Sequence, residues 1–122
     1  MIITRTPYRL SLFGGGTDYP SYYLKYGGEV ISTTINKYVF VSCRHLPNFF
    51  NGNIRVSYSK IEEVNNIKKI KHPSVRSVLN YLKIKQNIEI HYDGDLPGKS
   101  GLASSSAFTV GLLNAVHLYK NK

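Results

Sequence analysis

Ile2–Arg5, with its β-branched Ile2, Ile3 and Thr4, and Tyr8–Phe13, where polar Arg9 and Ser11 alternate with apolar neighbours, read as two short strands ahead of the triple glycine Gly14–Gly16. Asp18 and Pro20 open a helix of about two turns that runs through Tyr26 and stops at Gly27-Gly28. From Glu29 to His45 the chain is rich in Val, Ile, Thr, Tyr and Phe, with a break near Asn36-Lys37, so it reads as two strands or one long bent one. Asn51-Gly52 marks a turn into a strand at Ile54–Tyr58, and residues 59–72 read as a polar connection. Pro73 starts a helix in which Val75, Val78, Leu79 and Leu82 fall at i, i+3, i+4 and i+7 and so share one face. Ile88–Tyr92 alternates as a strand, Asp93–Lys99 is a loop, and a last helix runs from about Ser104 to Lys120. That helix carries Phe108, Val110, Leu112, Leu113, Ala115, Val116 and Leu118 on nearly every side, which predicts burial all round. With only Asn121 and Lys122 after it, one side is expected against the sheet. The other is expected against a further domain or a second copy of the chain.

At 122 residues the chain suits one domain with a real core, and 42% hydrophobic residues with 10 tyrosines argue for a folded protein. No apolar run approaches the roughly 18 residues that span a bilayer, and Met-Ile-Ile-Thr-Arg-Thr-Pro lacks the pattern of a signal peptide. A single cysteine, Cys43, in an alternating apolar segment excludes an internal disulfide and reads as a buried thiol; both features suit the cytoplasm. The four histidines are dispersed without metal-site spacing. The net charge of +9 is uneven. Residues 1–59 carry six basic against two acidic side chains, residues 60–85 seven against two, and the remainder is balanced. Such an excess favours anionic partners, among which nucleotides, sugar phosphates and nucleic acid all qualify. The lysines at 60, 68, 69 and 71 are most simply a solvated surface.

Pro97-Gly98-Lys99-Ser100-Gly101-Leu102-Ala103-Ser104-Ser105-Ser106-Ala107 is the most chemically informative stretch. Small residues let a backbone come close to an anion, and the first turn of the following helix points unpaired N–H groups and a positive dipole end at it. The serines could instead supply an ordinary helix N-cap. A Walker loop is suggested by Gly98-Lys99-Ser100 but fails on spacing, because position 93, where its first glycine belongs, is Asp. A second unusual block lies near the start, Pro7-Tyr8-Arg9-Leu10-Ser11-Leu12-Phe13-Gly14-Gly15-Gly16-Thr17-Asp18-Tyr19-Pro20.

Taken together, the two blocks resemble the GHMP kinase superfamily of galactokinase, homoserine, mevalonate and phosphomevalonate kinases. The first is similar to its Pro-x-Arg/Lys…Thr-Asp-Tyr motif and the second to its Pro-x-x-x-Gly-Leu-Gly-Ser-Ser-Ala loop. Within the superfamily, Gly-Gly-Gly-Thr-Asp-Tyr-Pro and Leu-Pro-x-x-Ser-Gly-Leu-x-Ser-Ser-Ser are most similar to the D-glycero-D-manno-heptose 7-phosphate kinases. The resemblance implies an α+β fold of the ribosomal protein S5 domain 2 type, a mixed or antiparallel sheet with helices on one face, residues 1–122 forming the N-terminal, ATP-binding domain. It also implies ATP and Mg²⁺ as cofactors, and a sugar or sugar phosphate as acceptor. Lys99, Ser100, Gly101, Leu102, Ala103, Ser104, Ser105 and Ser106 would then surround the ATP phosphates, with Ser105 matching the Mg²⁺-coordinating serine and Ser104 the alternative by one register. Arg9 matches a basic residue near the acceptor hydroxyl and γ-phosphate, against the plainer reading of a surface salt bridge. Gly15, Gly16, Thr17 and Asp18 would face the sugar, Asp18 being equally suited to capping a helix. Ala103 departs from the family's Gly-Leu-Gly and puts one backbone contact to phosphate in question. The family's catalytic aspartate and third motif have no counterpart here, so the expectation is the N-terminal half of a kinase whose partner is an absent C-terminal half. Two other readings stay open: a non-catalytic nucleotide-binding fragment, and a basic nucleic-acid-binding module, which the spread of basic and aromatic residues disfavours.

Overall fold

A computed structural model describes residues 1–84, 87–98 and 101–121. In chain order the elements are β1 (Ile2–Phe13), a 3-10 turn at Gly15–Asp18, α1 (Pro20–Tyr26), β2 (Ile31–His45), β3 (Ile54–Ser57), β4 (Ile61–Val64), a second 3-10 turn at Ile67–Lys69, α2 (Pro73–Tyr81), β5 (Ile88–Gly94) and α3 (Ser104–Lys120). The five strands form one sheet in the order β1-β2-β5-β3-β4. Every neighbouring pair is antiparallel except β3 and β5, which run parallel. This is the mixed α+β architecture expected, with α3 laid across β1 and β2 and α2 beside it.

The period of two sets which side chains the helices cover. Val39, Val41 and Cys43 of β2, Ile88 and Ile90 of β5, and Ile54 and Val56 of β3 all point into one core. Cross-strand register stacks them, Cys43 opposite Ile90 and Ile54 opposite Ile88. Cys43 is fully buried, and burial pushes its thiol up to about 12, so it is chemically quiet.

Two elements differ from the expectation. Ile2–Phe13 is one strand rather than two, because pairing with β2 slips between Pro7 and Arg9 without ending the strand. Proline offers no N–H at that point, and the slip absorbs the Asn36-Lys37 irregularity on the facing strand. Residues 59–72 are not merely a polar connection but contain β4 and a 3-10 turn. There the usual pattern is inverted, with Ile61 exposed and Glu62 buried. As expected, the sheet covers one side of α3, along a stripe formed by Ala107, Phe108, Gly111, Leu112, Ala115 and Val116, while Val110 and Leu118 face outward.

Close approach of α3 to the sheet depends on Gly111. A Cβ there would sit 2.8 Å from Thr6 Oγ1, and Thr4 Oγ1 already donates to the Gly111 carbonyl at 2.9 Å. Gly111→Val is therefore expected to destabilise the fold by about 2 kcal/mol, since helix and sheet must separate. Val110→Ala, on the open side, should change stability by less than about 0.5 kcal/mol. Urea titration followed by circular dichroism measures both. Among the described residues no helix is long and apolar enough to cross a membrane.

Candidate active site

Two cavities stand out, and the loop between β5 and α3 touches the second at Gly98 and reaches Arg9 of the first through Leu102. The first, of about 400 Å³, is lined by Arg9, Gly14, Gly15, Thr17, Asp18, Tyr23, Gly28, Glu29 and Val30. Its floor is a tight turn in which Gly14 takes a left-handed φ of 77°, and a Cβ on Gly14 would overlap the Glu29 carbonyl oxygen. Thr17 fastens that turn. Its N–H donates to the Gly14 carbonyl at 3.0 Å, and its hydroxyl lies 2.8 Å from the same oxygen and 3.2 Å from the Glu29 carbonyl. The Thr17 hydroxyl thus shapes the wall, leaving the Asp18 and Glu29 carboxylates as the acceptors that a bound molecule could meet.

Asp18 does not cap α1: the N-cap position is Tyr19, with no side-chain capping bond. Nor is Arg9 held in a surface salt bridge among the described residues. Its Nε is buried and has no hydrogen-bond partner there. A buried guanidinium nitrogen without a partner is costly unless an anion completes it. Of the described basic residues in 1–84, Arg9 is the one that lines this cavity; the lysines at 60, 68, 69 and 71 lie on β4, the second 3-10 turn and their flanks.

The second cavity, about 350 Å³, is lined by Tyr58, Ser59, His72, Ser74, Tyr92, Gly98, Ser104, Ser105 and Phe108. Three aromatic pairs wall it. His72 meets Tyr58 edge-on at 5.0 Å and Phe108 at 5.1 Å, and Tyr92 meets Phe108 edge-on at 5.1 Å. Burial lowers the His72 imidazole below 6.5 against the opposing pull of Glu62, which keeps it neutral at pH 7. Burial also pushes the Tyr92 hydroxyl up to about 12, aided by its hydrogen bond to Tyr8.

At the mouth of this cavity stands the N-terminus of α3. The N-cap is Ala103, in a left-handed conformation with φ 55°, and no side chain caps the helix. The serines are therefore not N-caps; they occupy the first three helical positions, where backbone N–H groups lack intrahelical partners. Ser104 and Ser105 line the cavity and Ser106 does not. Gly16 likewise does not line the first cavity, and Gly101, Leu102 and Ala103 line neither. Lys99 and Ser100 lie outside the described residues.

The loop is anchored on both sides. Tyr38 N–H donates to Asp95 Oδ2 at 2.8 Å, Asp95 N–H returns to the Tyr38 carbonyl at 3.0 Å, and the Tyr8 hydroxyl donates to the Leu96 carbonyl at 3.1 Å. The Arg9 N–H then reaches the Leu102 carbonyl at 3.4 Å. That last bond joins the backbone of the first cavity to the residues that enter α3, so the two sequence blocks meet in space.

The GHMP kinases N terminal domain family matches residues 65–122. A D-glycero-alpha-D-manno-heptose 7-phosphate kinase from Campylobacter jejuni is 32% identical over 93% of this chain. The chain belongs to the GHMP kinases. It spans 36% of that relative's length. The fold is also that of a D-glycero-D-manno-heptose 1-phosphate kinase from Bacteriodes thetaiotaomicron, with TM-score 0.79, 21% identity, and coverage of 100% of this chain and 43% of the other. A mevalonate kinase from Methanococcus jannaschii superposes with TM-score 0.71 and 24% identity, over 99% of this chain and 41% of its own. In this GHMP kinase chain, sequence reasoning found Arg9, Gly15, Thr17, Asp18, Ser104 and Ser105 at the two cavities. It missed Tyr23 and Glu29 in the first and Tyr58, His72 and Tyr92 in the second.

Proposed function

We propose that this chain holds an acceptor sugar in the first cavity and Mg·ATP in the second, as the nucleotide- and sugar-binding part of a sugar kinase. The observation that carries this reading is the bond from Arg9 N–H to the Leu102 carbonyl, which sets the unpaired guanidinium cavity beside the uncapped end of α3. The residues fit phosphate: Ser104 and Ser105, in the first turn of α3 where backbone N–H groups lack intrahelical partners, line a cavity of about 350 Å³ whose other walls carry aromatic rings on which a base can stack. They also fit Mg²⁺ in the limited way that ion requires, with the Ser105 hydroxyl as one ligand and phosphate oxygens and water as the rest. When bound, the ion would neutralise charge on the phosphate oxygens.

In the transfer step an acceptor hydroxyl oxygen bonds to the γ-phosphorus while its proton passes to a general base and the bond to the β,γ-bridging oxygen breaks, releasing ADP, and negative charge builds on that leaving oxygen and is spread over the oxygens of the transferred group. Arg9 is placed to stabilise that charge on the acceptor side. Asp18 and Glu29 orient sugar hydroxyls by accepting their protons in hydrogen bonds. The acceptor class follows the relative: a heptose 7-phosphate, for which Arg9 is the cation that the described residues bring to the first cavity.

Phosphate-transfer assays on the protein, alone and together with the polypeptide that completes its relatives' length, compare heptose 7-phosphate with galactose, fucose and mevalonate. Preference for the heptose phosphate supports the reading. Preference for a neutral sugar removes the acceptor assignment, and no transfer to any of the four removes the kinase assignment.

A further inference from the structure

Glu62 sits where a carboxylate is expensive. It is 9% exposed on β4, in a stretch that reads from sequence as a polar connection, and it bonds to two residues that wall the second cavity. Three donors converge on it. The Tyr58 hydroxyl donates to Oε1 at 2.7 Å, the Lys71 N–H to Oε2 at 2.7 Å, and the His72 N–H to Oε1 at 3.2 Å. Tyr58 and His72 are themselves two rings of that wall, set edge to face at 5.0 Å. One carboxylate thus fixes both the ring that ends β3 and the ring that precedes α2.

We infer that Glu62 is a positioning residue for the base of a bound nucleotide, holding Tyr58 and His72 as one side of a slot for a planar heteroaromatic ring. This rests on the nucleotide reading of the second cavity. Glu62 lines neither cavity, so it acts only through its two neighbours. Burial raises its carboxyl, but the bonds from Lys71, Tyr58 and His72 outweigh that and hold it below 4.5, so it accepts from all three as a carboxylate at pH 7. Glutamine keeps the shape yet turns one acceptor into an NH₂ donor, which leaves at least one of the three donors facing another donor.

Calorimetric titration with Mg·ATP and with magnesium tripolyphosphate, which has the phosphates and no base, separates this role from a general structural one. For E62Q the Mg·ATP dissociation constant should rise about tenfold while that for tripolyphosphate changes less than about twofold. Y58F, which keeps the ring and loses only the hydroxyl, should weaken Mg·ATP about threefold and spare tripolyphosphate. The inference is overturned if both variants bind Mg·ATP as the wild type does, or if both ligands weaken by the same factor. Equal wild-type affinity for the two ligands would also overturn it, since no base contact would then exist. Failure of the wild type to bind either ligand would overturn the nucleotide reading itself.

Discussion

Glu89→Ala is expected to lower the free energy of unfolding by about 3 kcal/mol, because it removes the anion that ties three strands together. On the sheet face turned away from the helices, Glu89 is fully buried beneath the side chains of its neighbours. Arg44 of β2 meets its Oε2 at 2.5 Å, Arg55 of β3 meets its Oε1 at 2.5 Å, and His91 Nε2 lies 3.0 Å from Oε1. Both arginines stand directly opposite Glu89 in the strand register, and Arg55 continues the ladder to Glu63 of β4. Without the carboxylate, Arg44, 48% exposed, can return to water, but Arg55, 21% exposed, is left with one partly solvated partner. The cost therefore falls at the lower end of the range for breaking a buried pair.

The same network gives a pH dependence. Burial raises the Glu89 carboxyl, but its bonds to Arg44, Arg55 and His91 prevail and hold it below 4.5. Glu62 is lowered in the same way, and His72 is held below 6.5. Each of these groups binds its proton more readily in the unfolded chain, so stability rises with pH across each shift. It should be full above about pH 6.5, fall gently below that through His72, and fall steeply below about pH 4.5 through the two carboxylates. In Glu89→Ala the steeper phase should shrink. Urea midpoints measured from pH 4 to pH 8 on both proteins check the sign.

Arg9→Gln is expected to reduce phosphate transfer about 100-fold in the complete kinase while leaving stability within about 0.5 kcal/mol. The guanidinium has no ion pair to lose among the described residues, and its backbone bond to Leu102 does not depend on the side chain. What disappears is a fixed cation where charge develops. The loss should therefore appear in kcat more than in KM for the acceptor. A rise in KM alone would make Arg9 a binding residue, and loss of stability would make it structural.

The glycine-rich and serine-rich blocks were legible because their chemistry is local: turn glycines and helix-end serines announce themselves within a few residues. The aromatic wall was not. Tyr58, His72 and Tyr92 share no spacing, and they meet only because β3 pairs in parallel with β5, setting Ser57 opposite His91. β4 was missed because Ile-Glu-Glu-Val lacks a period of two, and because its inward residue is the charged Glu62, whose burial depends on donors nine and ten residues away. For α3 the apolar residues on every face pointed to the sheet on one side and a further partner on the other; the first is seen, with Ala107, Gly111 and Ala115 letting the helix seat closely on the sheet through one narrow stripe.

The central claim is that the uncapped end of α3 receives nucleotide phosphate, and Ser105→Asp tests it most directly. A carboxylate in the first helical turn suits the helix dipole and should raise stability by a few tenths of a kcal/mol. Placed at the mouth of the second cavity, it should also repel phosphate. Calorimetry is expected to detect Mg·ATP binding by the wild-type chain and at least about tenfold weaker binding by the equally or more stable Ser105→Asp protein. Undiminished Mg·ATP binding by a folded Ser105→Asp chain, or none by the wild type, would contradict the claim.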